Sequence, residues 1–236
     1  MCRALLQALL RRIFMRVPFA IQQSMIEQHR EYAVTGAQTS RTFILASGSP
    51  RRHQLLRDAG LSFRIVESKV VETVRENESA AGFALRMAHE KALAVSVACP
   101  DEIVLAADTV VECEGRTLGK PAGAMEARAM LRMLSGRSHV VITGFAIARA
   151  GALVESAKVT SRVTFRSLSD AEIGDYVDSG EPLDKSGSYG IQSSGNFISA
   201  IEGSRENVMG LPIHEVLAAL ARHGIAAPGD ARRADR

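Results

Sequence analysis

The sequence has no tryptophan, and aromatic residues make up only 5% of it. A protein that grips single-stranded nucleic acid by stacking bases needs aromatic platforms, so their scarcity argues against that class. Cysteine is scarce too. Cys2, Cys99 and Cys113 stand far apart, with no CxxC pair and no Cys/His grouping at zinc spacing. A disulfide framework and a zinc ribbon are therefore not expected. Scattered thiols suit a reducing compartment, read here as the cytoplasm. No apolar run reaches the length of a membrane span, so no integral membrane segment is expected. The common catalytic signatures are missing as well. "GRTLGK" ends in Lys but lacks the leading Gly spacing and the following Ser/Thr of a phosphate loop. There is no GxGxxG after a strand, no GxSxG and no HExxH.

What remains is a chain of 236 residues, 46% hydrophobic and 23% charged, with a net charge of +3. That is enough chain for one large domain or two lobes around a cleft. The charge is local. Residues 1–40 hold five Arg and two Glu, and the rest is balanced at 24 basic and 24 acidic residues. The high pI thus reports the first forty residues and not a basic binding face, and no nucleic-acid partner is expected. Before Glu27 that segment has no acid. It is read as an N-terminal extension, because the folded pattern begins near Arg41. Its alternatives are an amphipathic helix, a membrane-surface anchor, a transit peptide, or an early start with Met15 or Met25 as the initiator. Residues 41–224 form the expected domain, and 225–236 a C-terminal tail.

Within that domain, apolar runs alternate with helical patterns. "FILA" reads as a short buried strand, followed by a helix that starts with Ser49 as N-cap and Pro50 in its first position. Gly60 stops it. "LSFRIVES" reads as a strand, and "ESAAGFALRMAHEKALAVSVAC" as a helix. "EIVLAADTVVEC" is a strong strand run ending near Glu112 to Gly115, and "AMEARAMLRMLSG" a helix stopped by Gly136. Two or three strands follow around Gly151. Then come a short helix opened by a Ser169–Glu172 capping box, a strand in "GNFISAIEGS" and a closing helix in "PIHEVLAALARHG". The order predicts an α/β protein with a mixed sheet.

Several polar residues are oddly placed for such a pattern. Arg51 and Arg52 stand in the first turn of the first helix, where the dipole is already positive. They are either two solvated arginines or part of an anion site at a helix start. Asp108 interrupts an otherwise apolar strand run. An ionised carboxylate there needs a partner, a metal or a proton. Either it ends the strand and caps a turn, or it is held at a strand end as a general base or cation ligand. Lys120, before Pro121, is a solvated lysine or an ammonium aimed at phosphate. Lys91 shares a helix face with Met87 and Val95, and either snorkels or reaches into a cleft. Glu72 follows a strand-like run, and is a surface residue or a second metal carboxylate. Asp184, Lys185, Tyr189 and Gln192 share one Gly-punctuated loop that looks substrate-facing. Gln192 could read a base edge, having both donor and acceptor. His89, His139 and His214 share no spacing and read as structural.

In order along the chain, "LASGSPRRHQLL", "AADTVV", "LGKP", "LSGRSHVVITG", "GEPLDKSGSYGIQ" and "IEGSRENVMGLP" resemble the Maf family of nucleoside triphosphate pyrophosphatases, from about Ile44 to about Leu217. The resemblance implies a mixed α/β fold of the inosine triphosphate pyrophosphatase (Maf/Ham1) kind, with the site in a cleft between two lobes. It implies hydrolysis of a nucleoside triphosphate to monophosphate and pyrophosphate with Mg²⁺ or Mn²⁺, and a homodimer as a family expectation. By motif, Asp108 matches the family's proposed proton acceptor; Asp108 and Glu72 are the expected metal carboxylates. Arg51, Thr109 and Gln192 match positions linked to selectivity. Ser47, Arg52, Glu72, Lys91 and Lys120 match polar residues of the cleft. Ser49 and Lys185 complete the substrate-binding set. "SYGIQ" looks like the subfamily acting on dTTP and UTP. The alternatives are a different base preference, such as 7-methyl-GTP, and a nucleotide-binding regulator of septation. Ser186, Ser193 and Arg205 depart from the family's usual Ala, Gly and Tyr. Ser193 adjoins the expected base reader and so bears on base preference.

Overall fold

The computed structural model describes residues 42–194 and 196–226. The extension, with Cys2, Met15 and Met25, lies outside the described residues, as does most of the C-terminal tail. A seven-stranded mixed sheet carries the fold, as the alternation of elements predicts. Strand β1 (Phe43–Leu45) lies between β2 (Phe63–Ile65) and β3 (Val104–Cys113), parallel to both. β3 pairs antiparallel with β5 (Ser138–Arg149), which pairs antiparallel with β6 (Ala152–Phe165). β7 (Ile198–Glu202) completes that edge. A short β4 (Arg116–Leu118) folds back on the end of β3. The Gly151 region makes one hairpin, so two long strands occupy the span around it.

The helices follow the local signals. α1 (Pro50–Asp58) has Ser49 as N-cap and Pro at its start, though the Ser49 hydroxyl makes no capping bond. α2 (Ala80–Ala98) is capped by Ser79, whose hydroxyl accepts from the Gly82 amide. α3 spans Ala124–Leu134, and α4 (Asp170–Asp178) opens with the complete Ser169–Glu172 capping box. The short α5 (Arg205–Met209) was not visible in the hydrophobic pattern, because five residues are less than two turns. α6 (Ile213–Arg222) closes the domain.

Side chains alternate along β3 and so feed two faces. Val104 and Ala106 pack with Ala88, Ala92 and Val95 of α2, and Val110 packs with Phe83 and Met87 farther along. On the opposite face there are two cores. Leu105 and Ala107 join Leu56 of α1 with Val216 and Leu220 of α6. Val111 and Cys113 join Leu131 and Leu134 of α3 with Ile173 and Val177 of α4. Both cores are built on one continuous sheet. Fully burying one such Leu or Val contributes roughly 1.5–3 kcal/mol. α2 lies close to the sheet only because residue 144 is glycine. A Cβ there would stand 2.7 Å from backbone atoms of Ala84 and Leu85.

His139, read as structural, is buried in the second core. Its Nε2 is 2.7 Å from the Tyr189 hydroxyl, and its ring meets Phe165 and Tyr189 edge-on. Burial pushes its pKa down to about 4. The folded state thus binds a proton less readily than the unfolded chain, whose His titrates near 6.5. Stability from this group is full above about pH 6.5 and is lost as pH falls toward about 4, by up to about 3 kcal/mol. Denaturant midpoints should fall across that window, and His139→Gln should flatten that part of the profile.

Candidate active site

The two faces turn polar at the same level of β3, where the sheet itself divides. On one edge of β3, β1 pairs at Val104 and Leu105, and β4 pairs from Val111 onward. Between those registers no strand among the described residues pairs with this edge, while β5 runs unbroken along the other side. Asp108 and Thr109 occupy this gap, facing opposite ways. Asp108 therefore does not end its strand, against the expectation of a strand-end carboxylate or turn cap. Its pairing with β5 continues to Glu112, and the strand that ends is β1. Ser186 hydrogen-bonds the Thr109 carbonyl from the polar loop, with its hydroxyl as donor at 2.9 Å. A cleft of about 580 Å³ opens at this level, within the range of small-molecule sites.

Asp108 is 6% exposed and accepts from Lys91 Nζ at 2.6 Å. Burial raises its pKa above the ordinary value, against the opposing pull of Lys91 and Arg52. Lys91 is equally buried, so its ammonium reaches into the cleft and does not snorkel outward. The same Nζ donates to Glu72. Burial acts to raise the Glu72 pKa, but the Lys91 hydrogen bond and charge, with Lys120 and Arg52, outweigh it and hold the group below its usual range. Glu72 does not follow a strand as expected. Residues 66–79 form no regular element before α2, because "SKVVETVREN" offers a single short apolar run and no strand partner.

On the other face, Arg52 is 9% exposed, and each hydrogen bond it makes is to a neutral acceptor. Its Nε donates to the Gly210 carbonyl at 2.8 Å, Nη1 to Ser47 Oγ at 3.2 Å and Nη2 to Thr109 Oγ1 at 3.1 Å. Among the described residues, no carboxylate lies within ion-pair distance of it. Burial lowers its pKa, partly offset by Asp108, yet a guanidinium stays charged at any working pH. So of the two readings of the arginine pair, solvated surface residues fail for Arg52. Arg51 is more open and lies 3.7 Å from Asp184 across the cleft mouth.

The cleft also takes in Ser49, whose amide donates to Ser47 Oγ at 3.3 Å, and Lys120, which is exposed at its rim. Lys185 lines it, but its ammonium is spent on its own loop: the Glu181 carbonyl and carboxylate, and Asp184. Gln192 is not brought to the site. It is exposed and outside the cleft lining, whereas its neighbours Tyr189, Gly190 and Ile191 line it. Ser193, one of the unusual residues, hydrogen-bonds the Tyr176 hydroxyl at 2.9 Å. Two contributors were missed. Glu67 lines the irregular wall, and Val208, Met209 and Gly210 arrive with α5. The signal for the latter was Ser204, which caps α5 through the Asn207 amide, with Gly210 as its left-handed stop.

Among the described residues, no three His, Cys, Asp or Glu side chains group as a metal cage, and no helix is long and apolar enough to cross a membrane. Comparison with known proteins places the chain in a family. The profile of the family described as "Maf-like protein" matches residues 42–223. A dTTP/UTP pyrophosphatase of Chromobacterium violaceum is 47% identical over 190 residues, covering 78% of this chain and 96% of that protein. A dTTP/UTP pyrophosphatase of Myxococcus xanthus is 47% identical over 186 residues, covering 78% and 94%. Among solved structures, the Ham1 protein of Staphylococcus aureus aligns with a TM-score of 0.46 at 16% identity, covering 78% of this chain and all of that one. The family profile spans most of the chain, and the chain belongs to the Maf-like protein family.

Proposed function

We propose that the chain hydrolyses a pyrimidine nucleoside triphosphate, dTTP or UTP, to the monophosphate and pyrophosphate. The observation that carries this reading is the pairing, across one gap in the sheet, of a buried guanidinium lacking a carboxylate with a buried carboxylate on a lysine. Such an arrangement asks for a polyanion on one side and offers a proton acceptor on the other. The names of the relatives in Chromobacterium and Myxococcus support the base preference.

The donor chemistry fits a divalent cation. Glu72 and Asp108 share one ammonium, so their oxygens are no farther apart than two hydrogen bonds laid end to end. Mg²⁺ is commonly held by one or two carboxylates plus substrate phosphates, which matches this pair of acids. When bound, Mg²⁺ or Mn²⁺ would neutralise phosphate charge. Asp108 and Glu72 would hold it. Arg52, fixed by three acceptors, presents charge to the phosphates without reorganising. Arg51 and Lys120, being less confined, add to it at the mouth and rim. Asp108 takes the proton of the water that attacks the α-phosphorus, while the bond to the bridging oxygen breaks and pyrophosphate leaves. Thr109 and Ser47 act by holding Arg52. Lys185 acts by holding the loop that carries Tyr189 to Ile191. The cytoplasm is the proposed compartment, and the free thiols of Cys99 and Cys113 are compatible with it.

A panel of dTTP, UTP, ITP and 7-methyl-GTP with Mg²⁺ or Mn²⁺ tests this. Pyrophosphate release from dTTP and UTP should exceed that from the others by at least about tenfold, a difference of about 1.4 kcal/mol. Faster release from 7-methyl-GTP would overturn the base preference. Tight binding with no release from any of them would favour the regulator.

A further inference from the structure

Glu72 reaches the site from a stretch with no strand or helix to hold it. On its N-terminal side Val70 packs against the Phe83–Met87 patch of α2. On its C-terminal side the very next carbonyl, Thr73, accepts a hydrogen bond from Arg86 Nη2 at 2.9 Å. Arg86 lies on α2, the helix that also carries Lys91. Each of its three nitrogens donates to an acceptor. Nε and Nη2 each lie 2.6 Å from one oxygen of Glu78, and Nη1 is 3.0 Å from Glu90. Its guanidinium stands 5.5 Å from the Phe83 ring centroid. Arg75 ties the same stretch to Glu90 at 3.1 Å, and its amide donates to Glu78 at 3.0 Å. The Arg86 and Glu78 side chains are 16% and 12% exposed. This is a shielded bidentate fork and not an ordinary surface pair.

We infer that Arg86 is a positioning residue for the reaction: by fastening the Thr73 carbonyl to α2, it fixes Glu72 on Lys91 opposite Asp108. The inference rests on the proposed function. A forked guanidinium suits the task, because one rigid plane binds Glu78 twice and still reaches Thr73 and Glu90. An ammonium cannot hold all four contacts in one plane.

The test is a double-mutant cycle of Arg86→Met with Glu72→Gln, read by pyrophosphate release and by amide exchange. Arg86→Met should lower kcat about 10- to 100-fold, as loss of an outer support of a metal carboxylate typically does. Adding it to Glu72→Gln should cost at most about twofold more, because its effect passes through Glu72. Amides of residues 70–76 should exchange about tenfold faster in Arg86→Met, with β3 and β5 protection unchanged. Arg86→Lys, the milder variant, should recover part of both losses. Additive losses in an active protein, or unchanged exchange at 70–76, would overturn the inference alone. An absence of pyrophosphate release from the wild type would overturn the function reading and this role together.

Discussion

Asp108→Asn is expected to cut pyrophosphate release by about a thousandfold while leaving the fold in place. The amide has the shape of the carboxyl and can still accept from Lys91 at the 2.6 Å position. Lys91 also keeps Glu72. The packing of β3 between α2 and the two opposite cores is untouched. What disappears is the proton acceptor and one of the two acids suited to a cation. The loss of one buried charge is not free. Lys91 and Arg52 are then balanced mainly by the half-exposed Glu72, so a fall of about 1–3 kcal/mol in unfolding free energy should accompany the loss. Kinetics with a denaturant titration separates the two effects. Turnover near the wild-type level, in a protein that still unfolds cooperatively, would remove Asp108 from the chemistry.

Arg52→Met should likewise cost activity far more than stability, with an even smaller change in the fold. Removing one preorganised donor for developing phosphate charge costs about 3–4 kcal/mol of transition-state stabilisation by analogy with oxyanion-hole donors, or roughly 10²–10³ in kcat/KM. Stability should move by no more than about 1 kcal/mol. A buried guanidinium with only neutral acceptors carries a desolvation cost that a methionine does not. Set against that relief is the loss of the Arg52 donors to the Ser47 and Thr109 hydroxyls and to the Gly210 carbonyl, which keeps Thr109 Oγ1 at 3.3 Å. Thr109 retains Thr143 Oγ1 at 2.9 Å, which limits the damage. An arginine that mattered only for the fold would give the reverse: a large stability loss and near-normal kinetics in the surviving fraction.

These two residues also show what can be read from sequence. Asp108 and Arg52 were visible because each breaks a local rule: an acid in an apolar strand, and a cation at a positive helix end. Lys91 was visible as an ammonium on an apolar helix face, and the structure decides between its two readings. The strands and long helices were legible because hydrophobic period and caps agree in them. Glu72 was named, but its setting was not, since an irregular stretch has no period and its position depends on Lys91 and on Arg86, contacts distant in sequence. Gln192 is a different case. Its amide chemistry suited base reading, but the turn at Gly190–Ser194 directs it out of the cleft lining, and no spacing rule shows which way a turn faces. The gap between β1 and β4 was equally hidden, because it is a property of strand register and not of β3's own residues.

Turnover in ¹⁸O-labelled water reports directly on attack at the α-phosphorus. With dTTP or UTP and Mg²⁺, one labelled oxygen is expected in the nucleoside monophosphate and none in the pyrophosphate. Label in the pyrophosphate, or release of single phosphate in its place, would contradict it.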